Sequence, residues 1–526
     1  MADSSDVSRR RFLQKGALAT VAASVGLAPI AALARPAART KVLKAGHPTL
    51  DGRWIEPGEP GFAMAAWPNN SIYAGVFPGA IAMCKNRDDV QKCVRWAREE
   101  HKTFLIRSGG HNYAGFSTSP SSKSPMSFNA PDLLIDVKPM NKAYLSPTNP
   151  GVVIVEGGAS NQDVANALRK LPYAVPSGRC PTVGTSGLVL GGGWGFSATH
   201  SGLTCDSLVA TELVLADGTW KEISGEDDLF WAVRGGGGGN FGVHTSFAFK
   251  LHDVKEVVTT FNIVWEAGKQ VPLLSKLQAI QNANACMISS RSKARPTSPG
   301  AFPKRDKLVV ETLGLYWGKE KELREILAPV LSMQPTSVVE IYEMDYWRAR
   351  DYLLTDDPIG MYKIKNRYVE KTLTDDALDK MLDHMAEWPG GSLRQDNMGI
   401  LFAIGGMVKN VERDKTAYVH RNSNYIFEME TSWAPIDDEK VVAAQLDWLA
   451  KYFDEMQGFL QPESYVNFPD RDLEHWEYSY YGCNLNRLSG IKHKYDQDGV
   501  FKFAQSIPSG RTYPSCPPLG VTDPCP

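Results

Sequence analysis

Two glycine-rich segments of the chain carry side chains that can form covalent bonds. The first, RSGGH at residues 107–111, ends on His111, and the second, at residues 178–187, contains Cys180. A histidine ring nitrogen and a cysteine thiolate are both nucleophiles. Because glycine lacks a Cβ, backbone N–H groups in these segments are able to face an anion or a flat ligand. Each residue alone also fits an ordinary role, His111 as a hydrogen-bonded loop residue and Cys180 as a small buried side chain.

A third glycine run, at residues 235–239, is followed by the tripeptide NFG. None of the three runs has the strand–GxGxxG–helix context, with an acidic residue about 20 positions later, of a dinucleotide-binding fingerprint. None contains the Lys-Ser/Thr pair of a phosphate-binding P-loop either. Three such runs flanked by predicted strands indicate a backbone that approaches a bound ligand closely.

The predicted elements around these runs divide the chain into two parts. Up to about residue 251, short apolar strands alternate with amphipathic helices, which is typical of an α+β domain. The predicted strands there are 80–83, 103–107, 133–137 and 152–156, and the predicted helices begin at residue 87 and span 161–170. Farther on, the predicted strands are 257–265, 307–317 and 425–433, and the predicted helices are 271–284, 319–330, 377–386 and 438–456. This second pattern predicts a sheet covered by helices on one face.

The composition excludes several classes of protein. The 526 residues include 57 Lys+Arg and 59 Asp+Glu, for a net charge of −2, and 43% are hydrophobic. Such a composition argues against a disordered or fibrous chain and against a polytopic membrane protein. Since no basic excess is available to release counterions from phosphates, nucleic acid is not an expected partner. The eight cysteines form no CxxC pair and no Cys/His cluster with zinc spacing, so we expect no metal site.

The N-terminus has the pattern of an export signal. The hexapeptide SRRRFL at residues 8–13 precedes an uncharged run at 16–33 and a small-residue cleavage motif that ends at Ala34. Because Ser-Arg-Arg-x-Phe-Leu is the twin-arginine signature, we expect the twin-arginine export machinery to deliver the folded protein to the periplasm or the cell exterior. The alternative is a transmembrane anchor. The run is weakly hydrophobic and is interrupted by Pro29, so we expect no stable membrane anchor.

The expected compartment permits disulfides. Cys516 and Cys525 flank a proline-rich tail and are able to close it, although two free thiols on a loose tail fit the sequence as well. If a cofactor consumes Cys180, seven cysteines remain, and at least one other cysteine is then unpaired.

Longer stretches around these motifs resemble one family. They are RSGGHNYAGFS, GRCPTVGTSGLVLGGGWGFSATHSGLTCDSL and DLFWAVRGGGGGNFGV, followed near the C-terminus by YVNF at 465–468, YGCNLNRL at 481–488 and KHKYD at 492–496. In order, and over nearly all of the mature chain, they resemble the berberine-bridge-enzyme-like FAD-linked oxidases of the vanillyl-alcohol-oxidase superfamily. The resemblance implies an α+β fold with a two-part FAD-binding domain, an α+β substrate domain whose sheet is covered by helices, and a C-terminal segment that returns to the FAD-binding domain.

The expected domain boundaries follow from this resemblance. They are 1–34 for the signal peptide, 70–252 for the FAD-binding domain, 253–460 for the substrate domain, 461–510 for the C-terminal segment and 511–526 for the tail. The resemblance also implies FAD attached at two points, with His111 holding the 8α-methyl group and Cys180 holding C6 of the flavin. We expect the pyrophosphate on backbone N–H groups of residues 107–110 and 185–187. The other residues expected around the cofactor are Arg107, Ser108, Gly109, Gly110, Gly115, Gly184, Thr185, Ser186, Gly187, Gly192, Gly193 and Asn484.

In relatives of this family a tyrosine of the C-terminal motif accepts the proton of the substrate. Here that residue is Tyr480 or Tyr481, and the sequence leaves both open. An ordinary phenol has a pKa of about 10, so it needs a neighbour or the electrostatics of the flavin to act near neutral pH. Glu428, five positions before Trp433, is an expected partner of the tyrosine. Glu430 shares its strand face, so either carboxylate fits this role, and each also fits a solvated strand position.

Two further positions refine the expected chemistry. Trp194 stands where relatives often have Tyr, which favours a stacking platform, together with Tyr113, for a sugar or an aromatic ring. Val183, three residues after Cys180, stands at the oxygen-access position of the family and resembles the oxidase type. The expected acceptor is therefore O2 and the expected product is H2O2.

The expected function is that of a secreted FAD-dependent oxidase acting on the CH–OH group of a sugar, an oligosaccharide or a secondary-metabolite alcohol. Alternatives within the family are a dehydrogenase with a non-oxygen acceptor and an oxidative cyclase that forms C–C or C–N bonds. An alternative of another class is an exported solute-binding protein, which would be colourless.

Overall fold

The fold is taken from a computed structural model, which describes residues 46–120, 129–297, 304–354, 359–393, 395 and 398–514. The predicted signal peptide and the predicted Cys516–Cys525 bridge lie outside these residues. Within the described part, Cys286 and Cys483 each belong to a disulfide. The remaining described cysteines are thiols, namely Cys84, Cys93, Cys180 and Cys205.

The first sheet has four short strands in the order β1-β2-β4-β3. They are β1 (Arg53–Ile55), β2 (Ala80–Met83), β3 (Phe104–Arg107) and β4 (Leu133–Asp136), with α1 (Phe62–Ala66) between the first two. Strands β2 and β3 both pair in parallel with β4, and α2 (Arg87–Glu99) forms the crossover between them. The buried face of α2 includes Val90, Val94 and Ala97, which confirms the helical spacing predicted for this segment.

The second sheet is antiparallel throughout, in the order β5-β6-β10-β8-β9. Its strands are β5 (Ala143–Leu145), β6 (Val152–Glu156), β8 (Leu208–Val214), β9 (Trp220–Ser224) and β10 (Val243–Lys250), and β7 (Tyr173–Ala174) pairs separately with β11 (His252–Asp253). The helices in its connections are α3 (Asn161–Leu168), α4 (Thr185–Leu190), α5 (Ala198–Ser201) and α6 (Asp228–Ala232). Each glycine run adjoins one of these elements: the first follows β3, the second precedes α4 and the third follows α6.

The third sheet has seven antiparallel strands in the order β15-β12-β14-β13-β17-β18-β16. They are β12 (Val258–Trp265), β13 (Ile288–Pro296), β14 (Leu308–Tyr316), β15 (Val339–Met344), β16 (Met361–Val369), β17 (Ile400–Ala403) and β18 (Tyr425–Trp433). The associated helices are α7 (Gln270–Ala283), α8 (Glu320–Leu331), α9 (Tyr346–Leu353), α10 (Asp375–Ala386) and α11 (Glu439–Met456).

Helix α11 covers one face of this third sheet. Phe427 of β18 packs against Tyr452, with ring centroids 6.4 Å apart, and Thr431 donates a hydrogen bond to Gln445 at 3.0 Å. Since side chains alternate along a strand, Glu428 lies on the opposite face. The prediction of a sheet covered by helices is confirmed here. The opposite face is also buried at Glu428, whose side chain is 2% exposed.

The C-terminal segment returns to the first part of the chain, as predicted. It contains α12 (Trp476–Tyr481) and α13 (Leu485–Tyr495). From α13, Lys492 Nζ donates to the Asn240 carbonyl oxygen at 2.6 Å and to Asp496 at 2.5 Å. The backbone N–H of Ile507 donates to Asn240 Oδ1 at 2.9 Å. These bonds fasten the segment to the loop that follows the third glycine run.

In the part of the chain that the structure describes, none of the helices is both long and apolar enough to cross a bilayer.

Candidate active site

A cavity opens between the glycine runs and the C-terminal segment. It contains about 1650 Å³ of space free of protein atoms, including the part open to solvent. All three glycine runs contribute to its wall, and so do Tyr465, Tyr480 and Phe503 of the C-terminal segment. Because His111 and Cys180 both line this cavity, the two predicted nucleophiles border one common space.

The two segments that carry these nucleophiles are in direct backbone contact. A Cβ atom on Gly109 would lie 2.2 Å from Gly184 N, so the approach requires glycine at position 109. A hydrogen bond joins His111 Nε2 and Thr182 Oγ1 at 2.9 Å. Together these contacts hold the imidazole of His111 beside the loop of Cys180.

The Cys180 loop is held by the first turn of α3. The backbone N–H of Asn161 donates to Val183 O, and that of Gln162 donates to Pro181 O, each at 3.0 Å. The side-chain Nδ2 of Asn161 donates to Cys180 O at 2.9 Å. The N–H groups of a first helical turn have no partner within the helix, and here they position the loop.

The cavity wall offers polar atoms that match an FAD molecule. Asn161 Oδ1 and Gln505 Oε1 are buried and have no hydrogen-bond partner among the described residues, although both side chains line the cavity. Buried polar atoms nearly always have a partner, and FAD carries ribityl hydroxyl and ring N–H donors. The glycine runs can supply backbone N–H groups to its pyrophosphate. The residues present therefore fit FAD, with His111 and Cys180 in the same wall.

Besides His111 and Cys180, six of the twelve other predicted cofactor residues lie in this wall. These are Ser108, Gly109, Gly110, Gly184, Ser186 and Gly187. Ser108 and Ser186 both donate hydrogen bonds to Gly157 O, at 2.9 and 2.5 Å. Their hydroxyl groups therefore join the first two glycine runs to the turn after β6.

Arg107 and Asn484 are not among the residues that line the cavity, and their predicted contact with the cofactor stays a prediction. The Arg107 side chain is 2% exposed, and its Nε lies 3.1 Å from Asp136 Oδ2 in a buried ion pair. Asn484 Nδ2 donates to the carbonyl oxygens of Arg413 at 2.8 Å and Thr416 at 3.1 Å. Both side chains are thus used by the fold, because their polar atoms are paired away from the cavity.

Gly115, Thr185, Gly192 and Gly193 are not among the residues that line the cavity. A Cβ on Gly115 would lie 2.5 Å from the ring of Tyr73, and one on Gly193 would lie 2.4 Å from Thr204 Oγ1. Gly115 and Gly193 both have positive φ, at 66° and 93°, which other L-residues rarely adopt. The local backbone therefore requires glycine at these two positions, and the predicted cofactor contacts stay predictions.

Tyr480 and Tyr481 both line the cavity and are both buried. The backbone N–H of Asp470 donates to Tyr480 Oη at 3.0 Å. The phenol of Tyr481 is hydrogen-bonded to the Asn240 side chain. Burial raises the pKa of both phenols above the ordinary value of about 10.

Glu428 and Glu430 lie on the face of the third sheet opposite to α11, and neither is among the residues that line the cavity. Glu428 is 2% exposed and pairs in register with Asn366 on β16 and Ile400 on β17. Glu430 is opposite Ile364 on β16. The structure therefore places both carboxylates on the face of the sheet opposite to α11, without bringing either into the wall that holds the two tyrosines.

Trp194 lines the cavity and is fixed by its surroundings. Its Nε1 donates to Ala403 O at 2.7 Å, and its ring packs edge-on against Phe402, with centroids 4.8 Å apart. Tyr113 also lines the cavity and stacks on Phe468 at 5.4 Å. Val183 lies in the same wall. Trp194, Tyr113 and Val183 thus border the space expected to hold flavin and substrate.

Tyr465 is a cavity residue to which the sequence assigned no role. Its Oη accepts hydrogen bonds from the backbone N–H groups of Gly193 at 3.0 Å and Trp194 at 3.1 Å, and from Asn467 Nδ2 at 3.1 Å. Burial raises the pKa of Tyr465 to about 12. The Tyr-x-Asn spacing of the YVNF motif was the available signal, but only the folded chain shows that both side chains meet the second glycine run.

His244 is a second cavity residue that the sequence did not indicate. Its Nδ1 lies 2.9 Å from Thr211 Oγ1, and burial lowers the pKa of its imidazole to about 3, so it is neutral at physiological pH. No group of three or more His, Cys, Asp or Glu side chains that suits a metal ion occurs among the described residues.

Two family models match the chain. Residues 78–224 match the FAD binding domain, and residues 464–508 match the berberine and berberine-like domain. An uncharacterized FAD-linked oxidoreductase of Bacillus subtilis, YvdP, is 30% identical over 479 residues, which cover 89% of this chain and 100% of that protein. Glucooligosaccharide oxidase of Sarocladium strictum is 27% identical over 467 residues, which cover 82% of this chain and 87% of that protein.

Solved structures show the same architecture. Physcomitrella patens BBE-like 1 superimposes with a TM-score of 0.75 at 25% identity, over 88% of this chain and 98% of that chain. Berberine bridge enzyme from Eschscholzia californica superimposes with a TM-score of 0.76 at 23% identity, over the same shares of the two chains.

Proposed function

The chain belongs to the berberine-bridge-enzyme-like family of FAD-linked oxidoreductases, and from this premise we propose that it is an exported oxidase that acts on the CH–OH group of a small molecule. The family assignment rests on the relative at 30% identity over its full length and on the two matched domains. The observation that supports the proposal is the placement of His111 and Cys180 in the wall of one cavity.

Both nucleophiles hold FAD covalently in this proposal. His111 is joined to the 8α-methyl carbon and Cys180 to C6 of the flavin. Each attachment replaces an N–H or S–H bond and a flavin C–H bond with one N–C or S–C bond. Each attachment therefore releases two protons and two electrons. The electrons pass through the flavin to the same final acceptor as in turnover. Two tethers at one side of the cavity would leave room for a substrate in the space that Trp194 and Tyr113 line.

The bound flavin supplies the hydride acceptor and delivers two electrons to O2, so that the CH–OH group becomes a carbonyl group and O2 becomes H2O2. The chain must take up the hydroxyl proton of the substrate, and Tyr480 or Tyr481 is the proposed acceptor because both phenols line the cavity. Burial raises the pKa of both, so the acceptor depends on the field of the bound flavin to work near neutral pH. Glu428 is the proposed partner of that tyrosine: it would influence the proton transfer through the phenol and would not contact the substrate itself.

A carbohydrate or a secondary-metabolite alcohol is the proposed substrate. The relatives include a glucooligosaccharide oxidase and the reticuline oxidase of Papaver somniferum. Membership of the family is therefore compatible with either class of substrate. The aromatic wall formed by Trp194 and Tyr113 suits a sugar ring or an aromatic ring equally well.

Oxygen is the proposed electron acceptor because Val183 lies in the cavity wall beside the Cys180 loop. The second candidate is a dehydrogenase that uses another acceptor. One structure with this fold, at 23% identity, is a berberine bridge enzyme variant described as a reticuline dehydrogenase, so this fold accommodates both types. Dye reduction without consumption of O2 would identify the second candidate.

Export through the twin-arginine pathway is part of the proposal. Its support is the SRRRFL motif together with the disulfide-bonded state of Cys286 and Cys483, since disulfides persist in oxidising compartments.

A substrate screen with the purified mature protein tests the function. Sugars, oligosaccharides and aromatic alcohols are offered in air, and H2O2 release is followed together with bleaching of the flavin absorbance. The proposal expects at least one CH–OH compound to bleach the flavin without air and to yield H2O2 in air. A protein that is colourless after purification from the exported fraction would contradict it.

A further inference from the structure

Asn161 lies at the start of α3 and is 1% exposed. Its two amide ends have different surroundings. Nδ2 donates to Cys180 O at 2.9 Å, while Oδ1 is buried with no hydrogen-bond partner among the described residues. Rotating the amide by 180° would place Oδ1 against the carbonyl oxygen of Cys180, so the carbonyl fixes the orientation of the amide. The acceptor atom Oδ1 is therefore the end of the amide that is available to a ligand in the cavity, which Asn161 lines.

The Cys180 loop is shaped around this amide. A Cβ on Gly178 would lie 2.7 Å from Asn161 Nδ2, so glycine two residues before Cys180 makes room for the side chain. The backbone N–H of Asn161 donates to Val183 O, on the other side of the cysteine. One residue thus contacts the loop before, at and after Cys180, which is the geometry expected of a group that positions a nucleophile.

We propose that Asn161 is a positioning residue for the attachment of flavin at Cys180: its Nδ2 fixes the cysteine loop, and its Oδ1 accepts a hydrogen bond from an N–H or O–H group of the bound FAD. This inference rests on the proposed function, in which Cys180 is one of two tethers. A buried amide oxygen without a partner is destabilising, so a cavity ligand that donates to it is held in a fixed position relative to the loop. Formation of the S–C bond replaces the S–H bond of Cys180 and the C6–H bond of the flavin, and the two electrons released go through the flavin to the final acceptor.

The test compares Asn161→Ala and Asn161→Asp with wild type. Asn161→Asp keeps the shape of the side chain but replaces the donor to Cys180 O with an oxygen. If the role of Asn161 were purely steric, flavin attachment at Cys180 would be unchanged in this variant. Asn166→Ala is the matched control, since Asn166 lies on the same helix, is exposed, and accepts a hydrogen bond from Gln162. Each purified protein is denatured, its thiols are alkylated, and the peptides of Cys180 and His111 are analysed by mass spectrometry.

In wild type and in Asn166→Ala, the Cys180 peptide should carry flavin and resist alkylation. In both Asn161 variants, most of the Cys180 should be alkylated while the His111 peptide still carries flavin. Cys84, Cys93 and Cys205 are thiols in every variant and report complete alkylation. Equal flavin on the Cys180 peptide in wild type and in both Asn161 variants would overturn the inference. The inference would also be overturned if the variants lost flavin from the His111 peptide as much as from the Cys180 peptide, because the whole site would then have been disrupted.

A second arm keeps the inference testable if the single variants fold poorly. With His111→Ala as the parent, adding Asn161→Ala should release the flavin upon denaturation, whereas adding Asn166→Ala should not. With Cys180→Ala as the parent, Asn161→Ala should leave the flavin on His111. Release of flavin from His111→Ala itself would instead contradict the Cys180 tether, and thereby the proposed function from which this inference starts.

Discussion

The imidazole Nε2 of His111 lies 2.9 Å from the hydroxyl oxygen of Thr182, two residues after Cys180. Thr182, which lies in the loop of one predicted attachment point, therefore orients the imidazole of the other. The Gly109–Gly184 backbone contact lies beside this hydrogen bond, so the two segments meet through main chain and side chain together. The chain arranges both nucleophiles through contacts of its own residues.

Replacing Thr182 with Val tests this orientation, because valine keeps the volume and removes the hydroxyl. We expect the fraction of protein with flavin on the His111 peptide to fall, while the Cys180 peptide stays modified. Peptide mass spectrometry measures both fractions in one digest. Equal modification of His111 in wild type and Thr182→Val would show that this hydrogen bond does not prepare the ring.

Tyr480→Phe and Tyr481→Phe test the proton acceptor. Removing a general base lowers turnover by about 10²–10⁴-fold, so one of the two variants should lose at least that much kcat with its flavin content unchanged. Tyr478→Phe is the matched control, since Tyr478 lies on the same helix and is 45% exposed. Full activity in both variants would place the base elsewhere in the site.

Gly109→Ala tests the backbone contact between the first two glycine runs. The added Cβ would lie 2.2 Å from Gly184 N, so the segments must separate, and we expect the free energy of unfolding to fall by about 1–3 kcal/mol. Gly75→Ala is the control, because nothing lies within 4 Å of its Cβ position. Urea unfolding of both variants measures the difference, and equal midpoints would contradict the contact.

Alkaline pH should destabilise the protein in a defined window. Burial raises the pKa of Tyr465 to about 12 and also raises that of Tyr452, while an unfolded phenol titrates near 10. The folded state thus binds more protons than the unfolded state above pH 10. The stability that these phenols contribute is complete below about pH 10 and is lost as the pH rises above 10, in the case of Tyr465 as it approaches 12.

Tyr452→Phe isolates this effect, since the Tyr452 hydroxyl is buried with no hydrogen-bond partner among the described residues. The variant should match wild type in its pH dependence up to about pH 10 and lose less stability than wild type above it. Tyr478→Phe, at an exposed position, should follow wild type throughout. The measurement is the urea midpoint at each pH, and parallel curves for all three proteins would refute the assignment.

The apolar strands around the glycine runs were predictable from sequence, whereas much of the third sheet was not. Strands β2 and β4 are short apolar runs, and the observed bounds agree with the predicted ones to within one residue. Strands β13 (ISSRSKARP) and β16 (MYKIKNRYV) were not predicted, because their charged side chains hide the alternation that marks a half-buried strand. Their burial comes from partners distant in sequence, such as Asp470, which pairs with Lys365 at 2.7 Å.

The site shows the same division between local and long-range information. His111 and Cys180 could be singled out because glycines flank them within a few residues. Arg107 was assigned to the cofactor for the same reason, yet its partner Asp136 is 29 residues away and meets it only because β3 pairs in parallel with β4. Asn161 at the start of a helix resembles an ordinary capping residue, and its contact with Cys180 depends on a loop 19 residues farther along the chain.

The mass of the denatured, mature protein tests the central claim most directly. Wild type, His111→Ala, Cys180→Ala and the double variant are purified, unfolded in acid, freed of small molecules by filtration and weighed intact. We expect wild type and both single variants to remain heavier by one FAD, and the double variant to have the mass of the bare polypeptide. An FAD that passes into the filtrate from wild-type protein, leaving a colourless chain of unmodified mass, would contradict the account.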